Sequence, residues 1–449
     1  MNSKFVKIVL AAGVMAAVAF SGCKKKEKEE SKDKVEKKVD KKVEKKVEKK
    51  VEKKVEKKKE LFHKDSIEKA LAMKEAKNPI VKTVEDGIKK MAEECKKSVK
   101  YLGSYWTCKE YKEFNEKTLK PIFKDLKPDN KITIEAAVAV ALGGIKHLNS
   151  KNDWERLLGL QMVEQTMYNL SWNKITDYRK PLIKVAALSL KESLSNDETK
   201  MAVKIIGIDG GRAEFMGGKY EAKLLYWVAK NHKDQYVRYE AIRYLGYCTK
   251  TKKCEKIDAA KITKLYEKET YNSGKDYLAD AAANLGMKKE AYEWCHKLMN
   301  EGNFHWGCSA ALPKVLTKDD FEKFLKDVDT YVATDKGKQG TSVSYLLEIL
   351  ANGVDKLSFP KDKVWAFIVK VWEQPESISK RGYYFFNTPY YNLKRIAKTK
   401  KELQDLEKIA KKQQAKVVKE FGKDKNRKNV IADFEKRMKE LKEAIKKAK

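Results

Sequence analysis

The chain has 449 residues, and its 99 Lys and Arg against 65 Asp and Glu give a formal net charge of +34. This length excludes a disulfide-stapled mini-protein, and 22 Gly with 8 Pro exclude collagen and Pro-rich chains. The only long apolar run lies at the N-terminus and is too short to span a bilayer, which excludes a multi-span membrane protein. The hydrophobic fraction of 42% is enough for a folded core.

The first residues have the pattern of an export signal. Lys4 and Lys7 are followed by 13 mostly apolar residues, Ile8 to Phe20, and then by small residues and Cys23. The stretch 19–23, Ala-Phe-Ser-Gly-Cys, resembles the bacterial lipobox, with Phe where the family usually has Leu. The resemblance implies that residues 1–22 are a lipoprotein signal peptide and that Cys23 is acylated. Two or more acyl chains anchor a protein stably in a membrane.

The same leader permits a second interpretation. Cleavage after the Ala-Val-Ala stretch 17–19 would leave an ordinary secreted protein with a free Cys23. In the lipoprotein family, a residue other than Asp after the Cys permits sorting to the outer membrane, and Lys24 fits this rule. The resemblance therefore implies a location at the outer membrane or its periplasmic face, if the host has two membranes.

Residues 23–60 comprise Cys23 and a low-complexity spacer built on Val-Glu-Lys-Lys. The segment Lys24 to Glu60 contains 19 Lys and 11 acidic residues and cannot bury a core. It could form a single solvated helix with ion pairs three residues apart, or stay disordered. In either form it is a stalk, and its lysines could in addition contact anionic wall polymers or lipid head groups.

Six cysteines remain after Cys23, and they form three local pairs in the sequence: Cys95 and Cys108, Cys248 and Cys254, and Cys295 and Cys308. Export into an oxidising compartment favours three disulfides, each closing a small loop. The repeated separation of 13 predicts a staple across a helical hairpin. The alternatives are free thiols, or a zinc site formed by the last pair with His296 and His305.

The body of the chain has no clear strand pattern and is predicted to be all-α, since apolar residues recur at three- and four-residue spacing. Gly207, Gly246 and Gly286 recur with periods of 39 and 40, each preceded by a small residue at the fifth position. The small residues would let helices approach closely, and each glycine would loosen or cap the second helix of a hairpin.

Asp234 through Gly246 resembles the second helix of a HEAT-type repeat, with its Asp start, Val-Arg, Ala and Leu-Gly. The resemblance implies a right-handed α-solenoid of antiparallel hairpins, HEAT- or armadillo-like, with a concave binding surface and no implied reaction. We expect capping helices in residues 61–130, the repeat array in 131–316, further hairpins in 317–398, and a basic helical pair in 399–449 that breaks near Gly422. In this last segment an apolar stripe at heptad-like spacing, Ile431 to Ile445, would pack on the solenoid as a cap or bind a partner or a second copy.

No motif for chemistry stands out. The Gly-rich stretch 208–219 lacks a phosphate-loop ending and is interpreted as a loop, and Asp327 with Asp329 does not continue as a calcium loop. Two clusters could be binding surfaces. The smaller one, Phe304-His305-Trp306 beside Cys308, is interpreted as a hairpin turn packed down by the disulfide. The larger, aromatic and basic cluster could bind glycans, peptides or anionic lipid heads, or be part of the core. Its residues are Arg381, Tyr383, Tyr384, Phe386, Tyr390, Tyr391 and Arg395.

Together these features predict a non-catalytic envelope lipoprotein, a membrane-tethered helical-repeat scaffold that binds a protein or an anionic envelope partner. The alternative is an exported enzyme, or a glycan- or lipid-binding protein, with its site in the C-terminal half. We expect no catalytic residue, cofactor or metal. A nucleic-acid partner is not expected either, because the chain is exported and only nine of its basic residues are Arg, the side chain suited to bidentate phosphate recognition.

Overall fold

The computed structural model describes residues 65–186, 194–207, 219–251, 257–335, 337, 341–374, 383–422 and 428–448. The chain divides into two units, Met1–Phe62 and His63–Lys449, and the described residues all belong to the second unit. The predicted leader with Cys23, the spacer, the loop 208–218, Cys254 and Arg381 lie outside the described residues, as do the side chains of residues 383–386.

Twenty α-helices and no strand make up the regular structure of the described residues, which confirms the predicted all-α class. The helices are α1 (Asp65–Leu71), α2 (Pro79–Ser98), α3 (Lys109–Phe114), α4 (Lys120–Lys124), α5 (Lys131–Ile145), α6 (Asp153–Trp172), α7 (Arg179–Ala186), α8 (Asn196–Gly207), α9 (Lys219–Asn231), α10 (Gln235–Thr251), α11 (Ala259–Lys268), α12 (Asn272–Asn284), α13 (Lys288–Asn300), α14 (Trp306–Val315), α15 (Phe321–Ala333), α16 (Thr341–Lys356), α17 (Lys361–Glu373), α18 (Tyr383–Ile396), α19 (Lys400–Phe421) and α20 (Lys428–Lys447). A π turn, Asn115–Leu119, joins α3 to α4. None of the described helices is both long and apolar enough to cross a bilayer.

Polar side chains mark where many of these helices begin. The Asn130 side chain accepts hydrogen bonds from the first N–H groups of α5, and the Asp234 side chain does so for α10. These N–H groups have no partner within their own helix, so a capping oxygen supplies one. The HEAT-like Asp234 therefore acts as a helix N-cap.

Helices α5 to α18 pair in a regular way. Each odd-numbered helix packs on the even-numbered helix that follows it, which gives seven successive hairpins. The even-numbered helices α6, α8, α10, α12, α14, α16 and α18 also pack on one another in chain order and form a layer, called here the even layer. Each hairpin therefore buries its apolar face against its neighbours.

Polar contacts between neighbouring hairpins join residues about 40 positions apart in the sequence. Separations of 38 to 43 residues occur in Asn196–Asp234, Lys363–Glu322, Lys370–Asp329, Lys398–Asp355 and Lys412–Glu373. Such exposed contacts contribute at most about 1 kcal/mol each. Their common spacing matches the predicted period of about 40 residues.

Two buried ion pairs also join neighbouring hairpins. Arg238 of α10 donates from Nε and Nη2 to both carboxylate oxygens of Glu269, at 2.9 and 2.8 Å, and from Nη1 to the His232 carbonyl. Arg156 of α6 makes the corresponding contacts with Glu198 and the Ser150 carbonyl. The Val-Arg of the HEAT-like pattern thus links one hairpin to the next.

The three repeat glycines have different roles, and the expectation that each loosens or caps a helix end is wrong for one of them. Gly286 follows α12 with φ +80°, a conformation that favours glycine. Gly207 ends α8, where a Cβ would collide with the Tyr244 ring. Gly246 lies inside α10, and a Cβ there would be 3.7 Å from the Tyr277 carbonyl oxygen, an ordinary van der Waals distance, so the packing of α10 on α12 does not require glycine here.

Two of the predicted disulfides are present, Cys95–Cys108 and Cys295–Cys308, with Cα–Cα distances of 5.5 and 5.4 Å. The second joins α13 to α14 as expected for a stapled hairpin, and because it consumes both thiols the zinc alternative at this place is wrong. Cys248 is also disulfide-bonded. Its pairing with Cys254 stays a prediction.

A side chain of α12 binds the first turn of α14. The buried carboxylate of Asp276 accepts hydrogen bonds from the N–H groups of His305, Gly307 and Cys308. Burial raises the pKa of Asp276 to about 7, although these three donors favour its ionised form. Asp276 therefore ties the disulfide-stapled hairpin to the hairpin before it.

The C-terminal pair is α19 and α20, which pack on each other and are separated near Gly422 as predicted. In the apolar stripe of α20, Phe434, Met438 and Leu441 are buried. The Tyr390 hydroxyl of α18 donates to the Arg437 carbonyl, and the Tyr390 ring contacts Phe434. The stripe thus packs within the molecule, as the capping interpretation expects.

Candidate binding surfaces

The predicted aromatic and basic cluster is divided between core and surface. Tyr390 is fully buried against Trp372 and Phe434, so it belongs to the core. Tyr391, the next residue on α18, is about half exposed, and the Arg437 guanidinium lies 4.3 Å from its ring centroid. Arg395 is exposed and donates to the Asn352 side chain at 2.6 Å. Of the predicted surface, the structure therefore describes two exposed side chains, Tyr391 and Arg395, one helical turn apart.

Exposed aromatic side chains concentrate on the even layer. Within the described residues, the half-exposed tyrosines and tryptophans of helices α5 to α18 are Tyr168, Trp172, Tyr236, Trp306 and Tyr391, with 47 to 51% exposure. All five lie on α6, α10, α14 or α18. Exposing large apolar rings on one layer costs solvation free energy, and such surfaces are typical of interaction sites.

Six aromatic residues lie at or near the N-terminal ends of α10, α12, α14 and α16, and we call this set the aromatic edge. They are Tyr236, Tyr239, Tyr271, Tyr277, Trp306 and Tyr345. The ring of Tyr271 contacts Tyr236 and Tyr239, with centroids 5.5 and 5.8 Å apart, and Tyr239 contacts Tyr277 at 5.6 Å. Trp306 meets Tyr345 edge-on at 5.4 Å. The rings thus bridge α10 to α12 and α14 to α16.

Cations accompany these rings. The Lys200 ammonium of α8 lies 5.3 Å from the Tyr236 ring centroid. Farther along α10, the Arg243 guanidinium lies 5.0 Å from the ring of Tyr244, a buried residue outside the aromatic edge. Arg243 also lies 3.2 Å from a carboxylate oxygen of Glu240. Burial opposes its charge, but Tyr244 and Glu240 raise the pKa of Arg243, so it remains protonated.

The phenols beside Arg243 are neutral at ordinary pH. Burial raises the pKa of Tyr244 to about 12 and also raises the pKa values of Tyr239 and Tyr277. Neutral phenols and a fixed guanidinium donate hydrogen bonds, while the ring faces offer apolar contact. Because Tyr244 is buried and Arg243 already donates to it, a partner would meet the half-exposed rings of Tyr236 and Trp306 first.

Two other residue sets from the sequence have structural partners. Asp327 accepts a hydrogen bond from the Tyr292 hydroxyl and lies 2.8 Å from His296 Nδ1, and Asp329 pairs with Lys370, so both acids have partners within the chain. The Asn300 amide contacts the other ring nitrogen of His296. Both nitrogens of this histidine therefore face neighbouring side chains.

The pocket between α16 and α18 is the second candidate surface. It has a volume of about 450 Å³ and is lined by Glu348, Thr388, Tyr391, Asn392, Lys394 and Arg395. The Thr388 hydroxyl contacts Ser344 of α16 at 3.1 Å, which fixes the two helices beside the pocket. The sequence identified Tyr391 and Arg395, with Lys394 as part of the basic flank of the same cluster. It missed Asn392, which carries no sequence pattern of its own.

No family model, curated protein or solved structure matches this chain.

Proposed function

We propose that the chain is an exported lipoprotein, anchored through acylated Cys23, that presents a right-handed α-solenoid as a non-catalytic scaffold for a protein or an anionic polymer of the cell envelope. The leader and its lipobox-like residues 19–23 support export and anchoring in a membrane, and secretion without acylation is the alternative. Residues 24–60 act as the spacer between membrane and solenoid, at the outer membrane or its periplasmic face if the host has two membranes.

The succession of hairpins supports the solenoid. Packing of each even-numbered helix on the next, with polar contacts 38 to 43 residues apart, is the pattern expected of stacked HEAT-like units. In such arrays the second helices of the hairpins line one surface, which is where partners bind.

The aromatic edge is the observation that carries the binding role. Its rings lie on successive helices of this surface, with Lys200 beside them. The residues from 61 to 398 have a net charge of +15, so an acidic or anionic partner is favoured over a basic one.

The tether is tested by acyl labelling. Cells grown with labelled palmitate should incorporate the label into the native chain and not into Cys23→Ala. The Cys108→Ser variant serves as the control for the loss of a cysteine elsewhere. Equal labelling of native chain and Cys23→Ala would contradict the tether.

The binding surface is tested by comparing two exposed tryptophans. Trp306→Ala removes a ring from the aromatic edge, whereas Trp106→Ala removes one that is 60% exposed and lies before α3, outside the aromatic edge. In pull-downs from envelope fractions, Trp306→Ala should lose the partners that the native chain retains, by about tenfold or more for a central aromatic contact. Equal retention by both variants would overturn the assignment of this surface.

The pocket between α16 and α18 favours a second candidate function, that of a glycan- or lipid-head-binding protein with its site in the C-terminal half. Its aromatic wall, amide and cations are the groups that recognise such ligands.

A further inference from the structure

The charges around the pocket between α16 and α18 do not cancel. Arg395 donates from Nη1 to Asn352 and lies 3.6 Å from the Glu348 carboxylate, so the one acidic group of the lining already faces a guanidinium. Lys394 lines the same pocket and has no ion-pair partner in the part of the chain that the structure describes. The pocket therefore keeps one uncompensated ammonium group.

A buried amide donor in the lining is also unpaired. Asn392 is only 2% exposed, and its side-chain nitrogen has no hydrogen-bond partner. Burial of an unpaired amide costs folding free energy, so an unpaired donor in a pocket is a group that a ligand oxygen can satisfy. Asn392 and Lys394 lie two residues apart on α18 and both line this cavity.

A second cation, Arg437, lies against the ring of Tyr391, the aromatic residue of the pocket lining. The guanidinium of Arg437 from α20 lies 4.3 Å from the Tyr391 ring centroid, and its Nη2 contacts Asp433. Nε and Nη1 of Arg437 are buried without hydrogen-bond partners. Because Asp433 pairs with this guanidinium, Arg437 adds little net charge to the pocket, and its contact with the ring holds Tyr391 in place.

We propose that this pocket binds the phosphate or carboxylate group of a small ligand. Lys394 supplies the opposite charge, the Asn392 amide donates a hydrogen bond to an oxygen of the anion, and the Tyr391 ring contacts the apolar part of the ligand. The inference does not depend on the aromatic edge or on the tether, since it rests on α16, α18 and α20 alone.

Calorimetric titration of the full chain tests it with two probes, glycerol 3-phosphate and glucuronate, which carry the two anionic groups on small polar carriers. At least one probe should bind saturably with one site and a Kd below about 10 mM. The probe that binds more tightly tells a phosphate site from a carboxylate site. Lys394→Gln should weaken binding of that probe by about tenfold, as loss of a close charge pair does.

Lys398→Gln is the matched control. It removes the same charge just beyond the end of α18, where Lys398 pairs with Asp355 at 3.3 Å outside the pocket, and it should change the Kd by less than about twofold. Glu348→Gln removes the acidic group of the lining and should tighten binding. Asn392→Leu removes the amide donor and should abolish binding of the probe. The variant should stay folded, as measured by circular dichroism, because an apolar group replaces a buried unpaired amide.

Three results would overturn the proposal: no saturable binding of either probe, equal weakening by Lys394→Gln and Lys398→Gln, or weaker binding by Glu348→Gln. Because Lys394 and Lys398 are surface side chains, loss of fold does not obscure the comparison between them.

Discussion

Gln413 is a polar residue in an apolar position. It lies in α19 within the buried series Leu406, Ala410 and Val417, it is fully buried, and neither its amide oxygen nor its amide nitrogen has a hydrogen-bond partner. Leaving such a group unpaired costs about 1–3 kcal/mol. We therefore expect Gln413→Met, which keeps the shape of the side chain, to raise the free energy of unfolding by about 1–3 kcal/mol in urea titrations.

Gln414→Met is the control for this change. Gln414 lies beside Gln413 on α19 but is partly exposed, so its substitution should alter the free energy of unfolding by less than about 0.5 kcal/mol. A loss of stability in Gln413→Met would show that the amide has a favourable role in the packing of α19.

Neighbouring residues show how far composition alone can locate a surface. Tyr390 and Tyr391 have the same side chain, yet one is buried and the other is half exposed, because successive residues of a helix point about 100° apart. The sequence identified the aromatic and basic cluster on α18. Which ring faces outward depends on the packing of α16 and α20 around that helix, and this packing could not be read from residue types.

The start of α19 has a reciprocal cap. The Glu402 carboxylate accepts hydrogen bonds from the backbone N–H groups of Lys398 and Thr399 and from the Lys361 ammonium, and the Thr399 hydroxyl accepts from Glu402 N–H. Slight burial opposes the charge, but these donors lower the pKa of Glu402 from 4.5 to about 2. The ionised carboxylate therefore stabilises the fold above pH 4.5, and this contribution is lost as the pH falls towards 2.

Thermal melts across this range test the cap. Glu402→Gln should melt below the native chain at pH 7, and the difference should shrink as the pH falls from 4.5 to about 2. Asp405→Asn, which removes only an exposed ion pair with Lys408 at 3.5 Å, should show little difference at any pH. A difference between native chain and Glu402→Gln that does not vary with pH would contradict this assignment.

Helices and their order were predictable to different extents. Apolar spacing predicted the all-α class, and the cysteine separation of 13 predicted the stapled hairpins. The position of Gly246 within α10 was not predictable from its match to Gly286, because the end of a helix depends on the turn that follows. Of the aromatic edge, only Trp306 was singled out from the sequence, as part of a hairpin turn. The edge did leave a signal, because its residues fall at or near the starts of the second helices of four successive hairpins, α10, α12, α14 and α16.

Contacts between hairpins determine the stability of the whole array. Glu269 is almost fully buried and Arg238 mostly so, and removing one partner of a buried ion pair typically costs about 3–5 kcal/mol. Arg238→Met leaves the buried Glu269 carboxylate without its partner, so it should lower the urea concentration at the midpoint of unfolding. Because each hairpin is stabilised by its neighbours, the variant should also unfold less cooperatively.

The comparison variant is Lys363→Met. It breaks a contact with Glu322 that also joins neighbouring hairpins, but both of these side chains are more than half exposed, so the cost should stay below about 1 kcal/mol. Equal effects of the two variants would show that the Arg238–Glu269 pair contributes no more than a surface contact.

The disulfides Cys95–Cys108 and Cys295–Cys308 also affect how the molecule would respond to a mechanical load. Each closes a loop between residues 13 apart, so a force applied along the chain cannot extend the residues within it. At about 3.5 Å per extended residue, each disulfide therefore shortens the length to which the chain can be pulled by roughly 4 nm. Because the second loop joins α13 to α14, and Asp276 of α12 binds the first N–H groups of α14, that hairpin would resist separation from the hairpin before it.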